Sequence, residues 1–133
     1  MLYNSSMKNL SSRKIVAVLL LLAIVFGFLL TPLGLEPRNP DLRSYAVVPF
    51  FILASLGIPI AAFILLFKKP RISSVLVIIN AIIMIFLVAG DQAGFFFTSE
   101  PPLGITIFEF LSIAVSIGFL LYGPKLYRAS KRV

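Results

Sequence analysis

The 133-residue chain contains no cysteine, no histidine and no tryptophan. Without cysteine there is no disulfide, no thiol nucleophile and no thiolate metal ligand; without histidine there is no imidazole base, metal ligand or haem axial ligand. Most redox and hydrolytic chemistry goes with them, so the sequence predicts a non-catalytic protein with no cofactor and no metal. Acids are scarce as well: five Asp and Glu stand against twelve Lys and Arg, for a formal net charge of +7. Only 13% of the residues are charged, whereas 59% are hydrophobic. A mean hydropathy of +1.05 exceeds what a water-exposed domain of this size carries, because even a well-packed globule covers itself with polar groups. The composition excludes a soluble enzyme and indicates a small integral membrane protein.

What the chain has in abundance is apolar length. A helix crosses the roughly 30 Å hydrocarbon layer with about 20 apolar residues at ~1.5 Å each. Residues 15–33, 45–67 and 72–89 are free of charge, and 103–122 carries a single acid, Glu109. The predicted fold is therefore an all-α integral membrane protein, a four-transmembrane-helix bundle forming a single transmembrane domain over 1–133. Outer loops span 34–44 and 90–102, and basic ends span 1–14 and 123–133. The first run follows a basic leader, as a signal peptide does, but 31–36 offers no clear small-x-small cleavage site, so it is read as a retained helix.

Cations retained on cytoplasmic loops set orientation. Lys8, Arg13 and Lys14 precede the first predicted helix, Lys68, Lys69 and Arg71 join the second to the third, and Lys125, Arg128, Lys131 and Arg132 follow the fourth. No acid lies among them. The other connections hold Arg38 and Arg43 with Glu36, Asp41, Asp91 and Glu100. Both termini are expected in the cytoplasm, in a multi-pass protein of the plasma membrane. The cations sit close to helix ends, where they meet anionic head groups rather than nucleic acid. Tyr45, Tyr122 and Tyr127 fall where interfacial rings anchor.

The short link 68–71 with Pro70 makes the second and third helices an antiparallel pair. Pro49 is expected in the first turn of the second helix. Pro59, near mid-membrane, withdraws the partner of the Ser55 carbonyl, so a kink is expected at Gly57 and Pro59, covered by a neighbouring helix or the Ser55 hydroxyl. Ala23 with Gly27, Gly57 with Ala61 and Ala114 with Gly118 are small pairs four apart that let backbones approach.

Polar residues inside the bilayer are the candidates for function, since a central charge costs about 2.5 to 3.5 kcal/mol on insertion scales. At ~100° per residue, Thr106, Glu109, Ser112 and Ser116 share a stripe of the fourth helix. Asn80 lies mid-way along the third helix, and with both helices ending at one outer boundary its height would differ from that of Glu109 by only ~5 Å. A hydrogen bond between the two is expected. Asp91, eleven residues after Asn80, would project over the same face. These groups read either as interhelical glue or as a polar track from the outer mouth to mid-bilayer. Phe95, Phe96 and Phe97 place three rings on a loop, for insertion in the interface or contact with a partner.

Two functional expectations follow. The first is a structural or accessory subunit of a multi-subunit membrane complex, with a membrane-bound oxidoreductase such as a respiratory complex or a copper membrane monooxygenase as one class of host. The second is a small homo-oligomeric transporter or channel, proton- or cation-coupled through Glu109.

Overall fold

The computed structural model describes residues 2–30, 42–95 and 101–130, with side chains placed over 11–30, 46–95 and 101–130. All regular structure among the described residues is helical: α1 (Leu2–Leu30), α2 (Leu42–Ile52), α3 (Ile58–Leu66), α4 (Pro70–Gln92) and α5 (Leu103–Ser130). A single π turn, Leu53–Gly57, welds α2 and α3 into one span. Among the described residues, four helices are thus long and apolar enough to cross a membrane: Ser11–Leu30, Ala46–Leu66, Pro70–Gln92 and Leu103–Ser130. The chain has the architecture of a multi-pass membrane protein.

The helices outrun the charge-free stretches. α1 begins at Leu2 rather than near residue 15, so the basic stretch before the apolar run is itself helical. α2 begins at Leu42, which puts Pro49 inside the helix and not in its first turn. α5 does not stop at 122 but passes through Gly123 and Pro124 to Ser130. Packing overrides the proline there. A Cβ on Gly123 would lie 2.8 Å from Ile78 Cγ1, Leu126 is fully buried, and Arg71 Nη2 donates to the Tyr127 hydroxyl at 2.7 Å.

Antiparallel order follows from who packs with whom. One core cluster unites Val16 and Leu20 of α1, Ala62 and Leu66 of α3, Val77 and Ala81 of α4, and Val115, Phe119 and Leu126 of α5. The start of α1, the α3–α4 turn and the end of α5 therefore share one end of the bundle. A second cluster at the other end gathers Ala54, Met84, Leu87 and Val88, with Val47, Phe51 and Ile113 packed on it. α5 lies between α4 and α1, and α3 closes the ring against both. Outward stripes such as Ile72, Val75, Ile79, Ile82 and Phe86 on α4 stay exposed, the pattern of a lipid-facing surface.

The π turn of the second span has a local cause. Pro59 has no N–H to give the Ser55 carbonyl and its ring collides with that carbonyl in a regular helix. The chain answers by widening one turn: Ile58 N–H bonds to Leu53 O, five residues back. The released Ser55 carbonyl faces α1, where an ideal Cβ on Gly27 would lie 2.2 Å from it. Only glycine admits this approach, which sets the Gly27 backbone against the carbonyl. Cover thus comes from the neighbouring helix and not from the Ser55 hydroxyl, whose Oγ is buried without a hydrogen-bond partner.

Candidate functional site

The α4–α5 pair positions most of the polar interior. Its 3.6-residue periodicity turns Ser73, Ser74, Asn80 and Asp91 of α4 and Glu109, Ser112 and Ser116 of α5 to the buried side. Three contacts fix the register of the pair: Arg71 with Tyr127, Gly123 against Val77 and Ile78, and Gln92 with Glu109.

At the end away from the lysine turn, Gln92 Nε2 donates to Glu109 Oε2 at 2.9 Å and reaches Thr106 Oγ1 at 3.4 Å. The antiparallel register puts Asp91 level with Glu109. Both acids are 2% exposed, while Thr106 is half-buried and Gln92 exposed. Two carboxyls, a carboxamide and a hydroxyl thus cap one end of the pair. Chemically, the arrangement can share protons or take up a cation's charge, or it can simply tie two helix ends together. Among the described residues no three of Asp, Glu, His or Cys gather into a metal-binding group.

Asn80 stands apart from this cluster. Eleven residues separate it from Asp91, or ~16 Å of helix, and the register sets it opposite the stretch around Phe119. The expected bond between Asn80 and Glu109 is not formed: with Glu109 level with Asp91, the two lie ~16 Å apart along the bundle, and Asn80 Oδ1 is buried with no hydrogen-bond partner. The expectation failed because it ended both helices at one height. In fact α4 runs on to Gln92, and Gln92 meets Thr106 and Glu109 rather than the first residue of α5. That offset raises Glu109 to the level of Asp91.

Of the three loop rings, Phe95 is 67% exposed. It follows Gly94, whose φ of +83° suits glycine and turns the chain at the end of α4. Phe96 and Phe97 lie outside the described residues. Gly57 closes the π turn and Pro59 lies in the first turn of α3. Gly57 and Ala61 are exposed, so that small pair faces outward, whereas Gly27 and Gly118 each meet a neighbouring helix.

Sequence reasoning passed over three polar groups. Gln92 lay beyond the expected end of α4 at residue 89; its polarity one residue after Asp91 was the available signal. Ser73, buried near the start of α4, donates to the Ala62 carbonyl at 2.6 Å and ties α4 to α3. Ser74 bonds within its own helix to Arg71 O.

Comparison of the chain with protein-family models, with curated proteins and with solved structures finds no match.

Proposed function

We propose that the protein is a non-catalytic accessory subunit of a larger membrane complex, held in the plasma membrane with both termini in the cytoplasm. The orientation rests on the cations: Arg13, Lys14, Lys68, Lys69, Arg71, Lys125 and Arg128 share one end of the bundle, while Asp91 and Glu109 lie toward the other. The observation that carries the subunit reading is Phe95. Apolar side chains along the spans are solvated by lipid, but Phe95 stands exposed beyond the last turn of α4. A large ring held out at that level suits the core of a protein contact, where aromatic residues concentrate. The acid and amide cap beneath it then serves to fix the two helix ends that present it. A membrane-bound oxidoreductase is one class of host.

The test is the mass of the particle extracted from the native membrane in mild detergent, with companions identified by mass spectrometry. Stoichiometric partners that are lost from Phe95→Ser support the reading. A particle made of this chain alone overturns it.

One observation favours a second reading, a small proton- or cation-coupled transporter. Carriers of that kind use a second titrating group near the first, and Asp91 lies level with Glu109. Under this reading Glu109→Gln abolishes coupled flux in proteoliposomes; under the subunit reading the reconstituted protein carries none to lose.

A further inference from the structure

Arg13 occupies an unusual place for a cation. It precedes Val16 by three residues and Leu20 by seven, so it continues the core-facing stripe of α1 one turn beyond the apolar cluster. It is half-buried, and its Nε is shielded from solvent with no hydrogen-bond partner. A guanidinium N–H withdrawn from water without an acceptor is costly. Nor does a carboxylate offer itself: the described acids, Asp91 and Glu109, are at the opposite end.

The neighbourhood adds more positive charge. Leu19 packs on Gly118 and the rings of Phe26 and Phe108 lie 5.7 Å apart. Continuing that antiparallel register brings Arg13 opposite about residues 121 to 124. Lys125 follows directly on α5, exposed, with Nζ 5.1 Å above the Tyr122 ring. Lys14 follows Arg13 on α1 and is exposed. The apolar span of α1 begins at Ser11, so Arg13 sits at the boundary between acyl chains and head groups.

We propose that the junction between the start of α1 and the end of α5 binds the phosphate of one anionic phospholipid, with Arg13 as the hydrogen-bonding anchor and Lys125 and Lys14 as flanking charges. A phosphodiester supplies the two features the site lacks, acceptor oxygens and negative charge, and a guanidinium fork meets it with paired donors. A zwitterionic lipid brings its own cation into a cluster of cations and is disfavoured there. The inference depends on the chain spanning a bilayer, and is independent of whether it serves a complex or transports.

Native mass spectrometry of the purified full chain, titrated with phosphatidylglycerol, with phosphatidylcholine or with inorganic phosphate, tests it. The expected result is a one-to-one phosphatidylglycerol adduct that survives activation about tenfold better than the phosphatidylcholine adduct. Arg13→Gln should lose that preference, and Lys68→Gln, which removes one exposed cation elsewhere, should keep it. Thermal unfolding of the unaltered protein should shift upward with phosphatidylglycerol alone, which keeps the test valid if Arg13→Gln folds poorly. Equal retention of both lipids, an equal loss in Lys68→Gln, or protection by inorganic phosphate alone each overturns the proposal.

Discussion

At the scale of single residues, the interior sorts into polar groups that are joined and polar groups that are not. Glu109 is joined to Gln92. Gln92→Ala should destabilise the protein by about 0.6 to 1.7 kcal/mol, the range for hydrogen bonds between membrane helices, in reversible unfolding from mixed micelles. Glu109→Gln keeps an acceptor for Gln92 and should cost less. If it costs as much as Gln92→Ala, the cap depends on the carboxylate's charge and not on the hydrogen bond alone. Asn80 belongs to the other group. Because its Oδ1 has no partner, Asn80→Leu exchanges an unmet acceptor for an apolar side chain of similar size. The expected change in the same assay is neutral to about 1 kcal/mol stabilising. A loss of more than that would reveal a partner for Asn80 in the membrane.

Elements are held by close approach as much as by burial. A methyl group on Gly27 meets the Ser55 backbone, which cannot rotate away, so Gly27→Ala should push α1 off the π turn at about 1 to 3 kcal/mol. Gly118→Ala is the matched control. Its new Cβ would meet the tips of Leu19, the nearest at 3.0 Å, and a leucine can turn aside. The expected loss is well below that of Gly27→Ala, and equal losses in chemical denaturation would argue against backbone crowding as the cause. Ser73→Ala, which removes the tie to the Ala62 carbonyl, should cost about 0.5 to 1.5 kcal/mol. The four spans were legible in the sequence because crossing a membrane is a one-dimensional requirement on apolar length. Helix ends were not. Neither a run of charge nor a proline stops a helix when the next turn has something to pack on, as Leu126 and Tyr127 do beyond Pro124. The loss of regular α-helix before Pro59 was legible because a proline acts on its own backbone, whereas the choice of Gly27 as cover for the Ser55 carbonyl is a long-range fact that spacing alone does not encode. The pairing of Glu109 with Gln92 was lost for the same reason: one offset between two helices moves every cross-pair.

For the whole molecule the absence of cysteine is an experimental asset. Single cysteines at exposed Lys14 and Ala93 mark the two ends of the bundle on an otherwise thiol-free background. With cytoplasmic termini, an impermeant maleimide applied to intact cells should label Ala93→Cys and leave Lys14→Cys unlabelled until the membrane is opened. The reverse pattern would invert the topology. The helices also differ in length. α1 and α5 have 29 and 28 residues, or ~42 to 44 Å of helix, against ~35 Å for the 23 residues of α4. The two long helices are neighbours, and Val16 and Leu20 share a core with Phe119 and Leu126. A bilayer that thins or thickens acts on helices through the mismatch in their apolar lengths, and tilting is the usual response. Two rods locked along their sides tilt together. The start of α1 and the end of α5 therefore form one lever, and a change in lipid thickness at the middle of the protein should displace both helix ends together.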